Sequence, residues 1–283
     1  MKRKSNKAIE KSVVLWILQV CDFFGLVPLI NRIMRSCHYL LHVQDQRINT
    51  HLRKREGIDG LPLPPLNLIY LTSAYYDLKK YCTGGLADSR DIEDLIKKNG
   101  HDISKFSAIL DFGCGCGRVI RYWKSLNRTK IYGVDINQQC ISWCSKYLDF
   151  ATFKKNKMMP PLDFTDGMFD CIYAISVFTH LDEDVQLYWM REFKRLLKKN
   201  GVLILTLRTS LGDLHPISPE EEKQFLAGNI LTQYRKYMGT NFCNVFHPLI
   251  YIQKKLSKGF TILDIKQSST EGFRQDIILL KKS

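Results

Sequence analysis

A doubly wound α/β sheet, mostly parallel with an antiparallel C-terminal strand and preceded by an N-terminal helical cap, is predicted by three observations. From Leu66 onward, apolar strand patterns alternate with helical ones, the arrangement that places helices on both faces of a parallel sheet. The first compact apolar strand, Ala108–Phe112, runs directly into a glycine-rich turn, as a strand does when it hands over to a helix beneath a ligand. The last two strand patterns are separated by ten residues, too few for a crossover helix, so they are expected to pair antiparallel.

The elements follow in order. The chain opens Met1-Lys-Arg-Lys-Ser-Asn-Lys and continues into an apolar stretch from Val13 to Ile30, interrupted by Gln19, Asp22, Gly25 and Pro28. No small-x-small cleavage site follows it, and an acid lies near its middle, so it reads poorly as a signal peptide or as a membrane span. At about 100° per residue, Lys7, Lys11, Ser12, Gln19 and Asp22 share one arc opposite a wide apolar face. Two placements are open to this basic amphipathic segment. It can cap the body with its apolar face, or residues 1–30 can lie peripherally on an anionic membrane. Residues 32–57 continue as a more polar helical stretch, and Pro62, Pro64 and Pro65 mark a boundary. Residues 1–60 are therefore read as a cap or membrane-surface segment, and residues 61–283 as the main domain.

Within that domain, Asp91–Lys98 has the pattern of a short amphipathic helix stopped by Gly100. After the Ala108–Phe112 strand and its glycines, residues 118–126 are expected to be helical and Lys130–Asp135 a second strand. Gln138–Leu148 reads as a helix, Ala151–Lys155 as a third strand and Phe169–Ile175 as a fourth. Val185, Trp189, Phe193, Leu196 and Leu197 carry helical spacing through Glu183–Lys199, with Asn200-Gly201 as its stop. Val202–Leu207 is a further strand. His247-Pro248 opens a helix, and the strands Phe260–Ile265 and Asp276–Leu280 close the chain.

Composition narrows the class. Of 283 residues, 45% are hydrophobic and 25% charged, which excludes a disordered chain, a fibre and a polytopic membrane protein. The net charge of +14 points to anionic partners, but eleven Lys/Arg against three Asp/Glu fall between Met1 and Arg55, so the field belongs mainly to the N-terminal segment. Nine cysteines in a chain of this length read as reduced thiols of a cytoplasmic protein. Cys140 and Cys144 lie one helical turn apart without a matching Cys/His pair, and no metal site is expected.

The strongest chemical signal is Asp111-Phe-Gly113-Cys114-Gly115-Cys-Gly117-Arg118. Glycines after a first strand let the backbone turn tightly and approach a ligand with its amide hydrogens exposed. Asp135 closes the next strand, 22 positions beyond Gly113, where a carboxylate can accept both hydroxyls of a ribose. A dinucleotide fingerprint requires a third glycine at position 118, which is arginine here.

This G-x-G-x-G pattern resembles the S-adenosylmethionine site of class I methyltransferases, which are Rossmann-like. Ile109–Arg121 is similar to that family's motif I and Ile131–Asn137 to motif II. The runs Pro160–Phe164 and Asp166–Asp170, then Ile175–Leu181 and Trp189–Thr206, continue the likeness through roughly residues 105–210. Asn200 and Val202 replace the family's usual proline and second glycine. The flavour is closest to the bacterial branch acting on small molecules and glycans.

The resemblance implies that Gly113, Cys114, Gly115 and Gly117 surround the methionine part of the cofactor, with Asp111 orienting the loop or reaching its amine. Asp135 would hold the ribose and Ile136 the adenine face, with Asn156 and Lys157 at the adenine edge. Ser176 would line the reactive end. His180 is a weak candidate for a catalytic base, its alternative being a structural histidine capping the next helix. His247, Tyr75, Tyr76 and Tyr251 are candidates for an acceptor pocket or for the core. The leading reading is methyl transfer to a small-molecule, glycan or lipid-linked acceptor. RNA methylation is the alternative, nucleic acid being less favoured because no Asn-Pro-Pro-Tyr-type or cysteine-based base-methylation motif is present. A non-catalytic cofactor-binding regulatory module is the third reading.

Overall fold

The computed structural model describes residue 26 and residues 57–73, 77–211, 217–267 and 275–283. The basic amphipathic segment, most of residues 1–60, and Tyr75 and Tyr76 lie outside the described residues. Among those described, no helix is long and apolar enough to cross a membrane.

Seven strands form the main sheet: β1 (Ala108–Phe112), β2 (Lys130–Asp135), β3 (Thr152–Lys155), β4 (Phe169–Ala174), β5 (Leu197–Leu207), β8 (Phe260–Lys266) and β9 (Asp276–Lys282). Their order is β3-β2-β1-β4-β5-β9-β8. β1 to β5 pair in parallel, whereas β9 runs antiparallel to both β5 and β8, as the short connection between the last two strands requires. Helices α1 (Leu66–Ser73), α2 (Leu78–Lys98), α3 (Gln138–Tyr147) and α4 (Glu183–Leu196) accompany the sheet. Strand residues alternate between two cores: Ile109, Val202 and Ile204 pack with α2 and α3, while Leu110, Phe112, Leu203 and Leu205 pack with α4. Both faces are covered, which is why the strands read as continuous apolar runs.

Three elements differ from expectation. Residues 118–126 are turns around a single 3₁₀ turn, Ile120–Trp123, instead of a helix. β-Branched Val119 and Ile120 favour helix weakly, and the next three side chains are each anchored elsewhere. Fully buried Arg121 reaches Asp59 and the Leu61 and Pro62 carbonyls, Tyr122 Oη donates to the Cys82 carbonyl at 2.6 Å, and Trp123 Nε1 donates to Tyr173 Oη at 2.9 Å.

The helix expected over Asp91–Lys98 extends back to Leu78, where Asp77 caps it by accepting from the Lys80 N–H. Gly84 and Gly85 hide its first half in the sequence, since glycine is a poor helix former. Gly85 is nevertheless required: a Cβ there would sit 2.1 Å from the Arg118 carbonyl oxygen. Because the obstacle is backbone, Gly85→Ala should lower stability by about 3 kcal/mol or more, beyond the ordinary range for overpacking. Thermal melts should show a fall of several degrees.

The third difference is at Leu197, where α4 ends and β5 begins at once. Lys198 is held to β4 by both oxygens of Asp170, at 2.8 and 2.9 Å, and Asn200 makes the turn with φ of 64°.

Between β5 and β8 lies an insertion that periodicity did not reveal. It holds α5 (Pro219–Leu226), closed by a Ser218–Glu221 capping box, and the antiparallel pair β6 (Leu231–Gln233) and β7 (Asn244–Phe246). The helix expected after His247-Pro248 is one turn, Leu249–Tyr251, running into a π turn, Ile252–Leu256.

Candidate active site

The chain passes from β1 to β2 and β3 on one side of the sheet, then returns to β4 on the other. The crevice at the carboxyl ends of β1 and β4 is therefore the topological switch point, where ligands bind in such sheets. A cavity of about 500 Å³ opens there.

Its floor is the glycine loop. The N–H groups of Gly113 and Cys114 both donate to the Val134 carbonyl, at 2.8 and 3.0 Å. Asp135 completes the clamp: one carboxylate oxygen accepts from Gly115 N at 2.9 Å and the other from Asn137 N at 2.7 Å. Burial pushes its pKa up, and these two N–H bonds oppose that shift. Ile136 is exposed to the cavity beside it. Asn156 is buried, its N–H on the Asp135 carbonyl at 3.1 Å and its side-chain amide on the Lys157 carbonyl at 2.8 Å. Ile136, Asn156, Lys157 and Met158 thus form one wall.

Asp111 is buried at the opposite end and accepts from Tyr173 Oη at 2.9 Å. Tyr173 Oη in turn accepts from Trp123, so the hydroxyl is oriented as a donor toward the carboxylate. Burial raises the Asp111 pKa to about 8, against the lowering effects of Tyr173 and Arg118. Arg118, also on the cavity wall, is paired with Asp88 of α2.

Ser176 follows β4 with φ of 58°, a region costly for non-glycine residues. A closed ring of bonds holds it: Ser176 N donates to Thr206 Oγ1 at 2.7 Å, Thr206 Oγ1 to Gln275 Oε1 at 2.8 Å, and Gln275 Nε2 to Ser176 Oγ at 2.8 Å.

Asp111, Gly113, Cys114, Gly115, Asp135, Ile136, Asn156, Lys157, Ser176 and His180 all line this one cavity. Gly117 does not. It packs behind the loop, where a Cβ would meet Leu148 at 2.6 Å. His247 and Tyr251 also stay off the wall. His247 is fully buried behind β7 with Nε2 3.0 Å from Gln186 Oε1, and burial drives its pKa down to about 3. His180 does not cap the following helix, whose N-cap is Asp182, accepting from Val185 N. The seven cysteines among the described residues are unpaired and buried.

The residues that sequence reasoning missed lie on α1 and on the insertion: Tyr70, Leu71 and Thr72 face Gly239–Phe242 across the opening. Pro64-Pro65 ahead of Leu66 is a helix-start signal for α1; Gly239–Phe242 carries none. Arg118 stands in the motif, where the sequence marks it only as the position of the absent third glycine.

A family model described as a methyltransferase domain matches residues 110–205, the segment that builds the loop, Asp135 and the β4 turn. The likeness carried by that segment is to S-adenosylmethionine-dependent methyltransferases. Solved structures share its fold. The PH0226 protein from Pyrococcus horikoshii OT3 aligns with a TM-score of 0.54 at 18% identity, over 74% of this chain and 98% of that one. The Burkholderia thailandensis 1,6-didemethyltoxoflavin-N1-methyltransferase gives 0.53 at 15%, over 78% and 92%. A Mesorhizobium loti S-adenosylmethionine-dependent methyltransferase gives 0.51 at 12%, over 67% and 96%.

Proposed function

We propose that the cavity holds S-adenosylmethionine between Asp111 and Asp135 and delivers its methyl group to a small-molecule, glycan or lipid-linked acceptor admitted between α1 and the Gly239–Phe242 loop. The observation that carries this reading is the pair Asp111 and Arg118 on one end of the wall and Asp135 on the other. An α-amino acid end needs one anion and one cation, and a ribose needs an acceptor of two hydroxyl hydrogens. Gly113, Cys114 and Gly115 supply a floor without bulk, Asp135 receives the ribose hydroxyls, and Ile136 with Asn156 and Lys157 meets the adenine. The bound cofactor supplies an electrophilic methyl and its own leaving group. The chain's contribution is then alignment, which alone can account for much of a displacement rate. The Ser176 ring of bonds fixes the turn at the reactive end.

Asp111 makes the cofactor reading testable by pH. At a pKa of about 8 its carboxyl is mainly protonated at neutrality, whereas a cofactor ammonium requires the anion. Affinity should therefore rise about twentyfold between about pH 6 and pH 8 and fall again at higher pH, where the cofactor's own ammonium loses its proton. Asp111→Asn should flatten that profile in calorimetry. Folding moves the opposite way. The folded pKa lies above the ordinary carboxyl value of 3.8, so the folded state binds the extra proton and this group's contribution to stability falls as pH rises from about 4 to 8.

The acceptor class is tested by incubating the protein with methyl-labelled cofactor and cell extract, then partitioning the label. Label in small solutes, glycan or lipid supports the reading, and label confined to RNA replaces it with the alternative. Binding to RNA would also fall steeply with salt. Residues 1–30 are proposed as a peripheral membrane contact: the full chain should float with anionic liposomes and a variant lacking them should not. Equal flotation by both removes that assignment.

A further inference from the structure

His180 touches the loop opposite it twice. Its backbone carbonyl accepts from Gly239 N at 2.8 Å, and its ring Nδ1 lies 2.7 Å from the Cys243 carbonyl oxygen. These are the two ends of one five-residue loop, and Gly239–Phe242 of that loop lines the cavity. A carbonyl oxygen can only accept, so Nδ1 carries the proton of the neutral ring. Thr240 ties the loop to the turn before it, its N–H and Oγ1 donating to the Tyr237 carbonyl at 3.1 and 2.7 Å, and the Phe242 ring meets Tyr237 at 6.1 Å. Asn241 Nδ2 reaches the Leu71 carbonyl of α1 at 3.4 Å, and Gly239 lies against Met158, where a Cβ would come within 2.2 Å of Cε.

We propose that His180 is a positioning residue, whose ring bond to the Cys243 carbonyl holds the Gly239–Cys243 loop as the acceptor-facing wall and thereby sets acceptor affinity. The partner of Nδ1 argues for this role over proton transfer. A carboxylate there would stabilise the imidazolium, as in a catalytic triad; a peptide carbonyl orients the ring without supplying that charge. Which face of the cavity meets the acceptor rests on the methyltransferase reading above, but the latch itself does not.

Two near-isosteres separate the roles. The amide nitrogen of asparagine falls near the position of Nδ1, that of glutamine near Nε2. Amide hydrogen exchange over residues 239–246 of the full chain should stay within about twofold of wild type in His180→Asn and rise at least about tenfold in His180→Gln and His180→Ala, the scale expected when one latch of a surface loop is lost. With saturating labelled cofactor and cell extract as acceptor source, the last two variants should raise apparent KM about tenfold with kcat little changed, the signature of lost binding. His180→Asn should keep wild-type values and an unchanged pH profile. Thermal melts identify any variant that fails to fold. Equal exchange in all four proteins overturns the latch. So does a His180→Asn enzyme with wild-type exchange whose kcat falls as far as that of His180→Ala. Calorimetry with S-adenosylmethionine alone tests the cofactor reading separately, because a wild-type protein that binds none fails there whatever its loop does.

Discussion

Gly115→Val should abolish measurable cofactor binding while leaving most of the fold in place. Gly115 has φ of 53°, and a Cβ added there would lie 2.5 Å from Thr72 Cγ2 and 3.0 Å from Thr72 Cβ. A left-handed conformation costs an L-residue roughly 1–2 kcal/mol, more for a β-branched one. The clash with α1 adds to this, because Thr72 belongs to a helix whose Leu68 and Ile69 are buried in the core. The loop must then flatten into the cavity, releasing Gly115 N from Asp135. Together these should weaken S-adenosylmethionine binding by more than about a hundredfold, or about 3 kcal/mol. Thr72→Ala in the same chain should recover only part of the loss, since the backbone strain and the Cβ contact remain. Gly117→Ala is the control: its added methyl would press on the movable end of Leu148, so stability should fall while affinity changes little. Isothermal calorimetry beside thermal melts reads both. Wild-type affinity in Gly115→Val would remove the cofactor from this loop.

Asp135→Ala should produce the next largest loss, for two reasons that add. Ribose hydroxyls lose a charged acceptor, a change worth about 1.5–3 kcal/mol, or about ten- to a hundredfold in affinity. The N–H groups of Gly115 and Asn137 also lose their partner, which loosens the loop that lies against the cofactor. Asp135→Asn isolates these contributions. Its one carbonyl oxygen can serve one N–H, and its NH₂ cannot accept from the other, so it should lie nearer Ala than wild type. Heats of binding equal in all three proteins would exclude Asp135 as the ribose ligand.

Much of the site was legible because it is local. Asp111, Gly113, Gly115 and Asp135 lie at strand ends or just after them, so reading the strands and the glycine spacing was enough to bring them together. The first half of α2 was not legible, because Gly85 weakens the helical pattern to meet the Arg118 carbonyl, a contact visible only once the two elements pack. The 3₁₀ turn at Ile120–Trp123 was missed for the same reason. Each side chain from Arg121 to Trp123 is directed by a distant partner, and propensity gives no sign of that. His247 and Tyr251 have the right chemistry for a pocket, but they face the core behind β7.

The linear order of residues was sufficient for the sheet class, its antiparallel last strand, the position of the crevice and the likeness to a methyltransferase domain, since each depends on periodicity or on spacing across one strand and one turn. Only the folded chain decided that Asp111 is buried against Tyr173, that Arg118 is paired with Asp88 of α2 and that α1 faces the Gly239–Phe242 loop. Those arrangements come from contacts between segments tens of residues or more apart. Burial, unlike spacing, is a property that no segment possesses until the others surround it.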